Sequence, residues 1–306
     1  MDPLRAVKLT ALMERTSGSP EVKIGLIDGP VVTRHPDLED GRLREIAGIS
    51  RGTCTQADSV ACMHGTFVAG ILSAKRGSNA PAICPGCTVL LRPVFSEPTS
   101  AREQMPIATP DALAEAIVEC LDAGARVINL SLALAQPSVK AEHALEQALN
   151  RAARSGAIVV AAAGNQGTLG SSAITRHPWV IPVAACDLRG RPIAESNLGN
   201  STGRRGLSAP GDGITSLGSN GQSLTLGGTS VAAPFVTGAI ALLWSEFPSA
   251  TAAQIKFALS HASAPRRASV VPPLLDAATA CQILQTSHRS ARPWGSEADS
   301  NRVAMI

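Results

Sequence analysis

Strand-like apolar runs alternate with helical patterns from residue 22 to residue 185, and this alternation restricts the chain more than any other feature. Residues 22–28, 88–94, 126–130, 157–163 and 179–185 are the apolar runs. Between them, residues 110–123 place Leu113, Ile117 and Leu121 on one helical face. Residues 141–155 do the same with Leu145 and Leu149 before Gly156 signals a stop. Strands separated by helices predict an α/β fold of three layers, with a mainly parallel central sheet and helices on both faces. Further on, a long apolar helical pattern runs to Phe247, Pro248 closes it, and Thr251 is placed to cap a last helix through Ala262. Residues 199–220, rich in Gly, Ser and Asn, read as loops and short strands.

In open α/β sheets, reactive groups gather at the carboxyl ends of the strands, and this chain's polar residues fall there. Ile24-Gly25-Leu26-Ile27-Asp28-Gly29 ends in a carboxylate, and Val159-Val160-Ala161-Ala162-Ala163-Gly164-Asn165 ends in an amide. His64-Gly65-Thr66-Phe67-Val68-Ala69-Gly70 sets a histidine ahead of a small-residue helical segment. Gly227-Gly228-Thr229-Ser230-Val231-Ala232-Ala233-Pro234 sets a serine at a glycine-flanked turn, at the positive end of the long apolar helix. Pro234 is expected in the first turn of that helix, where its missing N–H removes no internal hydrogen bond. An acid, a base, an amide and a hydroxyl are together the parts of a nucleophilic acyl-transfer site. His64 would take the Ser230 proton and Asp28 would orient the imidazole. Asn165 and the Ser230 backbone N–H would receive the oxyanion.

Four motifs in order resemble the subtilisin-like serine proteases, or subtilases, over residues 22–260. They are Leu26-Ile27-Asp28 with His35-Pro36-Asp37-Leu38, His64-Gly65-Thr66, Ala163-Gly164-Asn165, and Gly228-Thr229-Ser230-Val231-Ala232-Ala233-Pro234. The chain order acid, histidine, serine is the subtilisin order. The resemblance implies a subtilisin-like fold, serine endopeptidase activity through an acyl-enzyme, and catalytic roles for Asp28, His64, Ser230 and Asn165. Asn129-Leu130-Ser131-Leu132-Ala133 resembles the subtilase segment that pairs with the substrate backbone and walls the specificity pocket. Ser131, Leu132 and Ala133 are therefore expected to bind substrate, with Gly164 near the pocket floor. Ala133 stands where the family usually has glycine, and Phe67 where many members have histidine. A second substrate-pairing strand is expected around residues 104–108, although Pro106 and Pro110 disturb its pattern.

Ile27-Asp28-Gly29-Pro30-Val31 is similar to the proteases that mature ribosomal peptide natural products of the cyanobactin type, which implies cleavage in a leader peptide. Macrocyclising relatives carry an extra helical insertion between the acid and the histidine. Only 36 positions separate Asp28 from His64, so hydrolysis is expected ahead of transpeptidation. The reading from a different class is a scaffold that holds peptide without cutting it; the four filled chemical positions count against that reading.

Composition sets the outer limits. The 306 residues, 44% hydrophobic and 17% charged, describe a soluble globular enzyme with one α/β domain of about 250 residues. A net charge of +3 is too small to argue for nucleic acid, and no apolar run reaches the roughly 18 residues of a membrane helix. Residues 1–18 lack the apolar stretch of a signal peptide, so a cytoplasmic enzyme without its own prodomain is expected. The expected organisation is a short N-terminal extension over 1–20, carrying a short helix, a catalytic domain over 21–285, and a flexible tail over 286–306. A peptide or protein substrate is the expected partner. No acidic loop has calcium-ligand spacing, and no metal or other cofactor is expected. An odd count of seven cysteines favours free thiols. Cys54 with Cys62, and Cys84 with Cys87, leave local disulfides or one four-cysteine zinc site as alternatives.

Overall fold

The computed structural model describes residues 2–38, 42–46, 54–95, 108–132, 142–263 and 269–290. In chain order the elements are α1 (Pro3–Ala6), α2 (Thr10–Arg15), β1 (Lys23–Asp28), β2 (Leu43–Glu45), α3 (Val60–Ser73), β3 (Thr88–Pro93), α4 (Pro110–Asp122), β4 (Val127–Leu130), α5 (His143–Ser155) and β5 (Ile158–Ala162). They continue as α6 (Ala173–Arg176), β6 (Ile181–Cys186), α7 (Asn200–Arg205), β7 (Leu207–Pro210), β8 (Ile214–Leu217), β9 (Ser223–Leu226), α8 (Thr229–Glu246), α9 (Ala252–His261) and α10 (Ala277–Ser290). Strands β1 to β7 form one parallel sheet in the order β2-β3-β1-β4-β5-β6-β7, and β8 and β9 make a separate antiparallel hairpin. This is the α/β fold read from the alternation of runs.

Residues in the strands are sorted by the pleat. On β1, Ile24 and Leu26 join a core that includes Phe67, Phe235 and Trp244, while Ile27 joins a second core with Leu113, Ile117, Leu145 and Leu149. Helices α3 and α8 thus cover one face and α4 and α5 the other, so β5 is buried along its whole length. A strand sandwiched between helix layers has no wet face, which is why these runs read as continuously apolar. Helix α8 is buried from Val231 to Trp244, and it has no polar face because it crosses the sheet inside the core.

The chain reaches β3 on one side of β1 and then crosses to β4 on the other, which creates a topological switch point beside β1. The crevice above such a point is where α/β sheets bind ligands. At the chain's start, Val7, Leu9 and Leu12 are buried in the same core as α8, and α2 packs against α8 and α10. Helix α10 continues to Ser290, five residues into the segment read as tail, and its buried Ala277, Ala280, Cys281 and Leu284 repeat at helical spacing. Among the described residues, no helix is long and apolar enough to cross a membrane.

Candidate active site

Asp28, the last residue of β1, is wholly buried, and its Oδ1 accepts from the Gly29 backbone N–H at 2.6 Å. Helix α3 brings the histidine to it. Ser59 caps that helix by accepting from the Cys62 N–H at 3.2 Å, which places His64 in the second turn. The helix lies with its backbone directly on the exit of β1. A methyl on Gly29 would collide with the Ala61 carbonyl, and one on Gly65 with the carbonyls of Gly29 and Pro30. Both glycines therefore let α3 approach closely enough for His64 to reach Asp28. Cys54 and Cys62 are joined by a disulfide, and the Cys54 N–H donates to Val31 O at 3.1 Å, tying the loop before α3 to the same strand exit.

His64 Nδ1 lies 2.7 Å from Asp28 Oδ1 and its Nε2 lies 3.0 Å from Ser230 Oγ. A carboxylate only accepts, so Nδ1 carries the proton and neutral Nε2 is left to accept from the serine hydroxyl. The His64 side chain is 11% exposed. Burial pulls its pKa down, but the charge of Asp28 and its hydrogen bond outweigh that, and the net shift is upward from 6.5.

Ser230 is the second residue of α8, behind Gly228, whose φ of +117° suits glycine. A methyl on Gly228 would stand 2.8 Å from Asn165 Nδ2, so this glycine also makes room for the amide. Asn165 Oδ1 accepts from Thr229 N–H at 2.8 Å and from Thr229 Oγ1 at 2.9 Å. With the carbonyl side held twice, Nδ2 is left as the donor of this exposed amide, close over Gly228. Thr229 Oγ1 in turn accepts from Gly164 N–H at 3.1 Å. Gly164 has φ of +108°, and a methyl there would strike Asn197. Thr229 is the residue that sequence reasoning missed: it stood inside the serine motif, but its partner is 64 positions away.

Pro234 is not in the first turn of α8; it is the sixth residue of the helix and is buried. It therefore removes an interior bond, the one that the Ser230 carbonyl would accept. That carbonyl accepts instead from Ser131 Oγ at 2.8 Å. Ser131 Oγ also accepts from Asn129 Nδ2 at 2.7 Å, and Asn129 Oδ1 accepts from Thr237 Oγ1 at 2.7 Å. A polar chain thus runs from the end of β4 to Ser230 and Thr237, on either side of Pro234 in α8. Leu132 is buried beside it. Ala133 lies outside the described residues, as does the expected pairing strand except for Ala108.

The cysteines divide differently from the free-thiol expectation. Cys54 and Cys62 are bonded to each other, which removes them as zinc ligands, and Cys84, Cys87, Cys120, Cys186 and Cys281 are free and buried. Burial pushes the Cys120 and Cys186 thiols up to about 12, so neither is a thiolate near neutral pH. Among the described residues no cluster of three or more His, Cys, Asp or Glu is arranged to hold a metal ion.

This arrangement can do one kind of chemistry well: deprotonate a hydroxyl, direct it at a carbonyl, and receive the oxyanion at a helix start. The comparisons agree. Subtilisin DY from Bacillus licheniformis is 32% identical over 245 residues, covering 78% of this chain and 82% of that protein. Several other curated relatives are longer, with the match covering 50% to 62% of their length. The solved protease domain of PatA superposes with a TM-score of 0.80 at 29% identity, covering 88% of this chain and 97% of that one. The prenylagaramide maturation protease PagA gives 0.79 at 28%, covering 90% and 98%. The subtilase family model matches residues 19–290, and the chain belongs to that family as a subtilisin-like serine protease.

Proposed function

We propose that Asp28, His64 and Ser230 form the catalytic triad, with Asn165 as the side-chain donor to the oxyanion, and that the enzyme hydrolyses an extended peptide. The observation that carries this reading is the unbroken pair of contacts from Asp28 through His64 to Ser230, at 2.7 and 3.0 Å. His64 Nε2 takes the hydroxyl proton as Ser230 Oγ attacks the scissile carbonyl carbon. The carbonyl oxygen becomes an oxyanion that accepts from Asn165 Nδ2 and the Ser230 backbone N–H. Asp28 stabilises the imidazolium. His64 then gives its proton to the leaving amine, the C–N bond breaks, and the acyl-enzyme remains. Water, deprotonated by the same nitrogen, releases the acid and regenerates Ser230.

The substrate we assign is the leader region of a ribosomal peptide natural product. The likeness to the protease domain of PatA and to the prenylagaramide maturation protease supports this class. The spacing of 36 positions between acid and histidine supports hydrolysis over ring closure. Substrate is taken to pair along Ser131, Leu132 and Ala133, with Gly164 at the pocket floor. The catalytic unit is taken as 21–285, with 1–20 and 286–306 as its flanks. A cytoplasmic location is supported by the free thiols, whereas the Cys54–Cys62 bridge favours an oxidising compartment. Alkylation of the protein in fresh cell extract, followed by intact mass, decides between them.

Incubation with leader-bearing precursor peptides, read by mass spectrometry, tests the substrate class. Cleavage at one bond between leader and core, absent with Ser230→Ala, is the expected result. Cleavage scattered along unrelated proteins, with the precursors left intact, would refute it.

A further inference from the structure

The triad lies at the carboxyl ends of the strands. At the opposite ends, where β6 and β7 begin, a cavity of about 360 Å³ opens to the surface. Its lining includes Trp179, Arg204, Arg205, Lys256, Phe257 and Ser260, with no carboxylate among the described lining residues. Each cation has only neutral partners. The Lys256 ammonium sits 4.1 Å from the centroid of the Trp179 ring and donates to the Trp179 carbonyl. Arg205 Nη2 donates to the carbonyls of Thr175 and Arg176 at 3.2 and 2.9 Å, and its buried Nε has no acceptor among the described residues. Arg204 is exposed beside it and forms no ion pair among the described residues.

The walls are aromatic and partly fixed. Trp179 Nε1 donates to Ala157 O at 2.7 Å, which holds the indole in place. Phe257 is 54% exposed, an unusual position for a phenylalanine, and stacks on His261 with centroids 3.9 Å apart. Burial, with a smaller contribution from the charge of Arg205, holds the Lys256 pKa down to about 8. An anion entering the cavity would meet fork-shaped donors and a positive potential, and an apolar group attached to it would meet two rings.

We propose that this cavity is an exosite for an acidic segment of the peptide substrate, in which a carboxylate is held by Arg204, Arg205 and Lys256 while a neighbouring apolar side chain lies between Trp179 and Phe257. The proposal rests on the reading of the chain as a peptidase acting on long peptides. The six residues of β6 separate the two ends of the sheet by about 20 Å. The acidic segment is therefore several residues or more from the bond that is cut, outside the cleavage groove.

Binding is measured with the Ser230→Ala protein, so that failure of the catalytic reading does not affect the readout. The probe is a fluorescein-labelled peptide of alternating glutamate with leucine or phenylalanine, followed by anisotropy at two salt concentrations. Its control has every glutamate replaced by glutamine. Saturable binding is expected, at least tenfold weaker for the control peptide, for Arg204→Ala and for Lys256→Met, and weaker at high salt. Arg204 is exposed, so its variant tests the site even if Lys256→Met fails to fold. Equal binding by parent and Arg204→Ala, or no binding by the parent, would overturn the proposal. Displacement of the peptide by millimolar inorganic phosphate at constant ionic strength would also overturn it, in favour of a small-anion site.

Discussion

Ser131→Ala gives a prediction whose size follows from the polar chain under Ser230. The substitution removes the donor to the Ser230 carbonyl, which Pro234 has deprived of its helical partner, and it also orphans Asn129 Nδ2. Asn129 is fully buried and the Ser230 carbonyl partly so. A buried polar group left without its partner costs about 1–3 kcal/mol, so the two together cost about 2–6 kcal/mol. For a chain of this length that lowers Tm by about 4–12 °C. The diagnostic step is to repeat the change in a Pro234→Ala background. Alanine restores a backbone N–H four residues after Ser230, and this donor takes over the carbonyl. Ser131→Ala should then cost at least about 1 kcal/mol less, with only the Asn129 amide orphaned. All four proteins carry Ser230→Ala to prevent self-digestion, and stability is read by urea unfolding. Equal costs in the two backgrounds, within about 0.5 kcal/mol, would refute the link between Ser131 and Pro234.

Asn165→Ala should lower kcat by about 10²–10³, as loss of this kind of donor does in a subtilisin, with little change in KM; an unchanged kcat would remove Asn165 from the oxyanion site. Because His64 must be neutral to act as base and its pKa is raised, kcat/KM should climb with pH through a value above 6.5. Asp28→Asn should move that limb toward acid and cut kcat by about 10⁴. The same shift acts on stability with the opposite sense: the Asp28–His64 pair contributes fully below pH 6.5, and its contribution is lost as pH rises through the higher folded value. A pH series of Tm for Ser230→Ala against Ser230→Ala/His64→Ala checks this direction. Cys54→Ser opens a bridge of sequence separation 8, which should cost about 2–3 kcal/mol by loop-closure entropy. A thiol reductant should then destabilise the parent but leave the variant unchanged.

What could be read in advance divides along physical lines. The five inner strands were legible because helices cover both of their faces, so runs such as Ile158–Ala162 had to be apolar throughout. Edge strand β2 has only three residues, and β9 alternates between exposed and half-buried, so neither carries that signal. Helix α10 has the right spacing, but its inward face is built mostly of alanine and cysteine, which give a weak apolar pattern. Of the candidate site, Asp28, His64, Asn165 and Ser230 were legible because each stands in a short motif, at or just past a strand's end for Asp28 and Asn165 and within the first two turns of a helix for Ser230 and His64. Their supports were not, since Ser131 reaches Ser230 across 99 positions and Thr229 reaches Asn165 across 64. Pro234 was misplaced for the same reason: a local rule puts proline in the first turn, and the hydroxyl that lets it sit deeper comes from Ser131, the residue after β4. Cysteine spacing did not decide between the two close pairs; the loop before α3 joins Cys54 to Cys62, while Cys84 and Cys87 stay reduced in the core.

The central claim is that Ser230 is activated by His64, and labelling with a fluorophosphonate tests it without knowledge of the substrate. The parent protein and its Ser230→Ala variant are incubated with the probe and their intact masses recorded. One adduct on the parent, mapped to Ser230, absent from the variant and slowed by His64→Ala, is the predicted result. A folded parent that takes up no probe, or takes it up equally in the variant, would contradict the account.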